Sequence, residues 1–323
     1  RQVEMGGIAR EAHYPQRMPR WFLRPIRSGR NLSEVTSILR TRGLHTVCES
    51  ARCPNRMECF SSRTATFLIM GDVCTRNCAF CGVNKGVPLP LDEEEPGRVA
   101  DAAAQMGLEY VVITSVTRDD LPDGGASHFA ACIREVRSRL PRAKVEVLTP
   151  DFQGSAEALE TVLREGPEVF NHNLETVEEL YPRVRPMADY RRSLGLLGRA
   201  KELYPGVKVK SGIMVGLGES RKQLRRLFVD LAEVGCDILT IGQYLRPSRR
   251  QLPVERFVPL EEFEEMKTEA EMAGIPVVVS SPLVRSSYRA ADVLEEGRGC
   301  SLHDGSSREK DSRYEETDVG DGR

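Results

Sequence analysis

The chain has 323 residues, of which 40% are hydrophobic and 29% charged, and its formal net charge is −2. This composition is typical of a globular protein with a sizeable core, either one large α/β barrel or two ordinary domains. It lacks the overall positive charge typical of nucleic-acid or membrane-surface binding, and no run approaches the roughly 20 apolar residues of a membrane span. We therefore expect no nucleic-acid partner, no membrane and a cytoplasmic location.

The first thirty residues carry many arginines: Arg10, Arg17, Arg20, Arg24, Arg27 and Arg30. We interpret them as a solvated basic arm, with docking of an acidic partner protein as the alternative. An Arg-rich, acid-poor start is also typical of an organelle transit segment, so an organelle matrix is the alternative location.

Along the chain, residues 1–63 predict an irregular N-terminal extension with one helix at 32–42. From residue 64 onward, short β-branched runs alternate with segments of helical periodicity. The predicted strands are 64–70, 110–114, 144–149, 169–173, 207–215, 238–241 and 276–280. Four glycines stand where the intervening helices are expected to end: Gly107, Gly166, Gly235 and Gly274.

This alternation has the rhythm of βαβ units in a parallel sheet. It predicts an α/β fold, a partial TIM-type (β/α)6 barrel at 64–275, with a doubly wound open sheet as the alternative. The first βα turn holds cysteines instead of a Gly-rich phosphate-binding sequence, which disfavours a dinucleotide fold. Residues 276–296 form a short C-terminal extension, and the charged, Gly/Ser-rich tail at 297–323 is expected to be disordered.

Nine cysteines are the main feature of the sequence, and six of them fall within residues 48–81. An odd number of cysteines in a long chain argues against a disulfide framework. Cys132 and Cys236 are expected in the core, because free cysteines are among the most buried residues. Cys300, with His303 nearby, is interpreted as incidental, with metal binding as the alternative.

The first cysteine set follows the first predicted strand directly, as Cys74-x3-Cys78-x2-Cys81 with Phe80 before the last cysteine. Three thiolates on a tight loop can bind three irons of a 4Fe–4S cluster and leave the fourth iron open for chemistry on a ligand. A zinc site is the alternative, although zinc sites usually close with a fourth ligand from a second Cys pair.

The second set lies upstream, as Cys48-x4-Cys53-x5-Cys59. Three soft ligands within a dozen residues again indicate an iron–sulfur cluster. A second cluster in one chain implies either an electron relay or a supply of sulfide.

A Cys-x3-Cys-x2-Cys loop after the first strand of an α/β barrel resembles the radical S-adenosylmethionine (SAM) superfamily. The resemblance implies that SAM chelates the open iron and is cleaved to a 5′-deoxyadenosyl radical. The second set, within Cys-Glu-Ser-Ala-Arg-Cys-Pro-Asn, resembles the auxiliary-cluster motif of the lipoyl synthases. This resemblance covers about residues 17–290, through the stretches 17–21, 114–125, 170–176, 210–219 and 243–248.

The lipoyl synthase resemblance also implies site residues. In the Arg285-Ser286-Ser287-Tyr288 stretch, Ser286 is the implied fourth ligand of the auxiliary cluster, and Ser287 is the competing assignment. A serine oxygen binds iron more weakly than a thiolate, which suits a cluster that is consumed. The implied contacts to SAM are Phe80, Thr114, Ser115, Asn171, Asn173, Glu175, Lys210 and Gln243. For His172, site lining and a structural role remain equal alternatives.

The implied activity is insertion of two sulfur atoms at C6 and C8 of an octanoyl chain on a lysine of a lipoyl carrier domain. An unactivated C–H bond has no acid–base route at neutral pH, so radical chemistry carried by a cofactor is the available one. The expected carriers are E2 subunits of 2-oxoacid dehydrogenases and the glycine cleavage H protein. Flavodoxin or ferredoxin is the expected electron donor, and a further carrier is expected to rebuild the auxiliary cluster. A radical SAM enzyme with an auxiliary electron-transfer cluster is the alternative.

Overall fold

The structure of the chain is a computed structural model, which describes residues 18–22 and 29–296. Cys300, the tail at 297–323 and most of the Arg-rich start lie outside the described residues. Ten strands are found: β1 (His45–Thr46), β2 (Thr66–Ile69), β3 (Val73–Cys74), β4 (Asn84–Lys85), β5 (Tyr110–Ser115), β6 (Lys144–Leu148), β7 (Val169–Asn171), β8 (Lys208–Val215), β9 (Ile238–Gln243) and β10 (Val277–Ser280).

Eight of these strands form one sheet in the order β1-β2-β5-β6-β7-β8-β9-β10. The seven from β2 to β10 are parallel, and β1 adds antiparallel to β2. The parallel strands follow one another in chain order, and this order does not reverse. A doubly wound sheet requires such a reversal. The α/β class is confirmed, and the sheet is singly wound, as in a partial barrel. Within residues 29–296, β1 and β10 are its two edges and do not pair with each other.

Helices connect the strands: α1 (Arg30–Thr41), α2 (Val47–Ser50), α3 (Arg56–Ser61), α4 (Glu95–Met106), α5 (Ala126–Arg139), α6 (Ala156–Leu163), α7 (Tyr181–Val184), α8 (Tyr190–Leu203), α9 (Arg221–Glu233), α10 (Leu260–Met272) and α11 (Ala290–Glu296). Local sequence explains their ends. Ser220 and Gln223 form a capping box at the start of α9, and Gly107 ends α4 with a left-handed φ of 67°. No helix in the described residues is long and apolar enough to cross a membrane.

The two faces of the sheet differ in polarity. Alternate residues such as Val111, Val145 and Val209 pack with the apolar faces of the helices in one continuous core. On the other face, Lys210 of β8 reaches past β7 to Glu146 of β6, with Nζ–Oε1 and Nζ–Oε2 distances of 2.9 and 3.1 Å. A contact that skips a strand requires a concave surface, so this polar face is the inside of the partial barrel.

The two chain extensions meet the barrel at its edges. At the N-terminal side, β1 pairs with β2, and α1 packs on α3. At the C-terminal side, the chain after β10 turns back over the inner face. A Cβ at Gly242 of β9 would lie 2.2 Å from the carbonyl oxygen of Val284, so only glycine allows this approach. Val293 of α11 then packs with Ile238 and Val279.

Candidate active site

The first cysteine set forms a loop at the carboxyl end of the barrel. Cys74 ends β3, which pairs in parallel with β4 and so closes the loop over residues 73–85. Cys74, Cys78 and Cys81 are all half-buried. The backbone N–H of Thr117 donates to Cys74 Sγ at 3.3 Å, and that of Arg76 does so at 3.5 Å. Such donors stabilise a thiolate and tune a cluster bound to it.

A buried ion-pair network fixes the same loop to the barrel. Arg76 donates to Asp119 at 2.6 and 2.8 Å and to Asp151 at 2.6 Å. Arg192 of α8 donates to the other oxygen of Asp151 at 2.9 Å. Burial alone would raise the pKa of Asp151, but the hydrogen bond and charge of Arg76 hold it well below its usual range. Asp151 therefore stays ionised beneath the loop.

The second cysteine set lies on two short helices of the N-terminal extension. Cys48 is in α2, Cys59 is in α3, and Cys53 lies between them with its N–H bonded to the carbonyl of Cys48 at 3.0 Å. Burial, together with the neighbouring Cys53, raises the pKa of Cys48 to about 11. Burial, with Cys48 and Cys53, raises that of Cys59 to about 12. The three thiols thus face a common space, where bound iron would favour their thiolate forms.

The C-terminal extension packs onto the second set. Asn55 Nδ2 donates to the carbonyl of Leu283 at 2.7 Å, and the hydroxyl of Tyr288 donates to Glu58 at 2.8 Å. These two contacts bracket Ser286, whose Oγ lies 3.4 Å from Asn173 Nδ2 beyond the end of β7. The Arg-Ser-Ser-Tyr stretch therefore lies between the second cysteine set and the strand ends.

The space between the two cysteine sets, here called the recess, is bordered by Glu175 and Arg285. Glu175 interacts electrostatically with Cys78 and Cys81 of the first set, and Arg285 interacts with Cys53 of the second. Glu175 and Arg285 also interact with each other. Both side chains are partly buried. A ligand between the two sets would lie near both of them.

Buried polar atoms at the strand ends fit such a ligand. In the described part of the chain, five of these atoms at or near the strand ends have no hydrogen-bond partner: Ser115 Oγ at the end of β5, Thr149 Oγ1 after β6, Asn171 Oδ1 at the end of β7, Asn173 Oδ1 after β7, and Arg185 Nε. An unsatisfied buried polar atom costs about 1–3 kcal/mol, so such groups usually meet a ligand or water. Hydroxyl, amide and guanidinium groups together suit the hydroxyl, amino and carboxylate groups of SAM.

Two of these five residues, Thr149 and Arg185, are not among the contacts expected from the sequence. Thr149 ends a predicted strand, and that position was a usable signal. No motif or predicted strand end marks Arg185 in the sequence. It follows α7 and reaches the site only because the chain folds back. Its Nη1 donates to the carbonyls of Asn173 and Leu174 at 2.9 and 3.0 Å, which leaves Nε for a ligand.

Other expected contacts have partners of their own. Lys210 Nζ donates to Glu146 inside the barrel, and Asn171 Nδ2 donates to the same carboxylate at 3.0 Å, which leaves Asn171 Oδ1 without a partner among the described residues. Thr114 Oγ1 donates to the carbonyl of Leu148 at 2.9 Å. Gln243 donates to the carbonyls of Val215, Tyr244 and Arg256 and accepts from the N–H of Val258. Phe80 packs beside Val184, Leu217 and Tyr244. Their roles as SAM contacts stay predictions.

His172 has a structural environment. It is buried, with Nδ1 at 2.8 Å from the carbonyl of Thr149 and Nε2 at 3.0 Å from Ser193 Oγ. A carbonyl only accepts, so Nδ1 carries the proton and Nε2 accepts from the serine hydroxyl. Burial, followed by the charge of Arg185, lowers the pKa of His172 to about 4. Cys132 and Cys236 are buried in the core, as predicted.

Within residues 18–22 and 29–296, no three or more His, Cys, Asp or Glu side chains are arranged around a single metal ion.

Comparisons with known proteins match this geometry. A model of the radical SAM superfamily matches residues 68–231. Among solved structures, Streptococcus suis SuiB bound to the precursor peptide SuiA aligns with a TM-score of 0.53 and 12% identity, over 77% of this chain and 52% of that one. The FeFe-hydrogenase maturase HydG aligns with a TM-score of 0.52 and 18% identity, over 71% of this chain and 53% of that one. The chain spans about half the length of these two proteins, and the likeness concerns the fold. The chain is thus a radical SAM enzyme, a class that uses SAM and a 4Fe–4S cluster.

The curated relatives are more specific. A lipoyl synthase of Caldicellulosiruptor bescii is 53% identical over 283 residues, 87% of this chain and 97% of the relative. A lipoyl synthase of Oleidesulfovibrio alaskensis is 55% identical over 280 residues, which cover 87% of this chain and 96% of the relative. The chain belongs to the lipoyl synthase family, whose enzymes catalyse sulfur insertion.

Proposed function

We propose that Cys74, Cys78 and Cys81 bind the radical 4Fe–4S cluster, and that Cys48, Cys53 and Cys59 bind an auxiliary cluster completed by Ser286. The observation that carries this proposal is the proximity of the two cysteine sets: a Cβ at Gly82, next to Cys81, would lie 3.2 Å from the carbonyl oxygen of Ser50 in α2. With both clusters and SAM bound, the site supplies a 5′-deoxyadenosyl radical for hydrogen abstraction and sulfur for C6 and C8 of an octanoyl chain.

The chain's own residues bind and orient SAM. Ser115, Thr149 and Asn173 offer hydrogen bonds to its ribose and amino groups, and Arg185 Nε offers one to its carboxylate. The free Nε favours this role, because Nη1 of the same guanidinium is already fixed by backbone carbonyls. Glu175 accepts hydrogen bonds from the ribose hydroxyl groups and the amino group of SAM. Such fixed partners hold the reacting carbon within reach of the octanoyl chain.

The substrate is the octanoyl-lysine of a lipoyl carrier domain, which follows from the family. We infer more specifically E2 subunits and the glycine cleavage H protein as carriers, flavodoxin or ferredoxin as electron donor, and a separate protein that rebuilds the auxiliary cluster. A cytoplasmic location is part of the same proposal.

Ser286 is the proposed fourth ligand because its hydroxyl faces Asn173 at the recess. Ser286→Ala and Ser287→Ala test this against the competing assignment. After anaerobic reconstitution, Ser286→Ala should change the Mössbauer signature of the auxiliary cluster, and Ser287→Ala should leave it as in the wild type. The reverse result would assign Ser287.

The activity is tested by incubating the reconstituted protein with an octanoyl-lysyl peptide, SAM and dithionite, and by analysing the products by mass spectrometry. A peptide that gains two sulfur atoms, with about two 5′-deoxyadenosines per lipoyl group, supports the proposal. Formation of 5′-deoxyadenosine without sulfur on the peptide would contradict it.

A further inference from the structure

Exposed cations lie on three segments that carry or border the two cysteine sets. We define the basic rim as Arg52 and Arg56 of the second cysteine segment, Lys85 of β4, and Arg246, Arg249 and Arg250 of the loop after β9. All six are exposed. The rim is a local feature, because the net charge of the whole chain is −2.

Contacts place the three rim segments side by side. Arg52 donates to the carbonyl of Pro247 at 3.2 Å, which joins the second cysteine segment to the loop after β9. Gln251 of that loop donates to the carbonyl of Cys81 at 3.2 Å, and the N–H of Leu252 donates to that of Ala79 at 3.1 Å. Lys85 Nζ donates to the carbonyl of Cys78 at 2.9 Å. The rim therefore borders both cysteine sets at once.

The rim cations differ from other surface arginines in their partners. On the helical surface, Arg98, Arg191 and Arg225 each pair with a carboxylate within 3.0 Å. On the rim, only Arg56 has a carboxylate in reach, Glu49 at 3.6 Å. Among the residues that the structure describes, no carboxylate lies within 4 Å of the other five, and Arg246 and Lys85 donate to backbone carbonyls instead.

The carboxylates of the rim segments do not balance this charge. Residues 45–62, 71–86 and 244–252 contain Glu49, Glu58 and Asp72 besides the six rim cations and the buried Arg76. The rim thus carries an excess of about three positive charges, and Glu58 is already bonded to Tyr288. Two residues beyond Lys85, Val87 is 93% exposed, and Leu89 is 81% exposed. Exposed apolar residues beside unpaired charge are typical of a protein-binding surface.

We propose that the basic rim binds an acidic surface of the octanoylated carrier domain, an inference that rests on the function proposed above. The octanoyl chain is attached to a lysine side chain, which is shorter than the width of a protein domain. The reacting carbons therefore reach the recess only if the folded carrier lies against its entrance, where the rim is. Complementary charge there would speed the encounter and orient the lysine toward the recess.

The test uses the reconstituted double variant Arg249→Glu/Arg250→Glu, since neither side chain contacts a cysteine set. Its matched control is Arg142→Glu, an exposed cation in the turn before β6 at the amino end of the barrel. Each protein is assayed with dithionite, once with an octanoylated carrier domain and once with a short octanoyl-lysyl peptide that has no acidic residues. Iron content and circular dichroism check that the variants fold.

We expect the double variant to raise KM for the carrier domain roughly tenfold at low ionic strength, since it replaces two attractive exposed charges by two repulsive ones. Added salt should raise the wild-type KM and reduce the difference. KM for the peptide, and every value for Arg142→Glu, should stay as in the wild type. An unchanged KM for the carrier, or an equal effect of Arg142→Glu, would overturn the proposal.

A further experiment distinguishes the carrier domain from an electron donor as the partner of the basic rim. If the double variant is impaired only when flavodoxin or ferredoxin replaces dithionite, the rim binds the reductant and the proposal is wrong. If the wild type transfers no sulfur to either substrate, it is the proposed function that fails. In that case binding of the carrier to the rim variants, measured by titration calorimetry, still decides whether the surface is a carrier site.

Discussion

The two cysteine sets are held in different ways. Cys74, Cys78 and Cys81 lie on a loop that the barrel itself fixes, through the β3–β4 pair and the buried Arg76. Cys48 and Cys59 lie on short helices outside the barrel sheet, with Cys53 between them, and the C-terminal extension packs on this segment through a few hydrogen bonds. One site is built into the core of the fold, and the other is assembled where two extensions meet.

This difference fits the two duties that we propose for the two cysteine sets. A site that cleaves SAM repeatedly needs fixed geometry, which buried ion pairs and strand pairing provide. A site whose cluster gives up sulfur needs a ligand shell that opens and is refilled. Contacts between extensions are suited to that, because they can separate without unfolding the barrel. The predictions below test whether the two sites are separable in this sense.

The largest expected effect separates the two sets by chemistry. Cys78→Ala should abolish both 5′-deoxyadenosine and lipoyl formation, since the radical cluster loses a ligand. Cys53→Ala should abolish lipoyl formation and still cleave SAM, because the barrel site is intact. Chromatography and mass spectrometry of both products check this.

Cys236→Ala, a buried core cysteine far along the chain, serves as control and should retain both products. Loss of SAM cleavage in a folded Cys53→Ala variant that retains the radical cluster would show that the two sites are not separable.

The next effect concerns the ion pairs under the first set. Arg76→Met leaves the wholly buried Asp151 with Arg192 as its only remaining arginine partner within the described residues, and leaves Asp119 without Arg76. Removal of one partner of a buried ion pair costs about 3–5 kcal/mol. We expect a loss of this size in the free energy of unfolding, measured in urea. We also expect a lower iron content in the radical site. Arg225→Met, which removes an exposed pair with Glu269, should cost at most about 1 kcal/mol. Equal losses in both variants would contradict the assigned role of Arg76.

A third effect is a pH dependence on the radical side. His172 stays neutral in the folded chain down to about pH 4, whereas the unfolded chain takes up the proton near 6.5. Stability should therefore fall as the pH drops from 6.5 to 4, by up to about 3 kcal/mol. His172→Gln cannot take up a proton, so its stability should fall less over this range in urea titrations. The exposed His45→Gln should follow the wild type, and an unchanged slope in His172→Gln would contradict the buried neutral imidazole.

The same two regions show how far the sequence leads. Cysteine spacing and strand periodicity are local properties, so the cluster loop after the first parallel strand and the singly wound sheet were predictable. Arg185 was not, because its proximity to Cys78 arises from the path of the chain after α7. Lys210 is expected to contact SAM from its motif, a role that stays a prediction, but the contact of its ammonium with Glu146, 64 positions away across the barrel, was not predictable. Patterns within one segment give no information on which of two distant polar groups a side chain will meet.

The smallest expected effect concerns the junction of the extensions. Tyr288→Phe removes the hydroxyl that donates to Glu58 beside the second set, a bond worth about 1 kcal/mol. Because that bond ties the C-terminal extension to the second set and not to the barrel loop, the auxiliary cluster should lose iron faster to a chelator while the radical cluster keeps its iron. Iron release followed by absorbance, together with SAM cleavage, measures the two sites separately.

Tyr190→Phe is the matched control, since its hydroxyl donates to Asp230 at 2.8 Å between α8 and α9, in the helical layer. It removes the same kind of bond and should leave iron release from both clusters unchanged. If Tyr288→Phe accelerates release from both clusters equally, the C-terminal extension supports the whole site and not the second set alone. If it accelerates release from the auxiliary cluster only, the shell of that cluster opens independently of the barrel, which repeated loss and replacement of its sulfur requires.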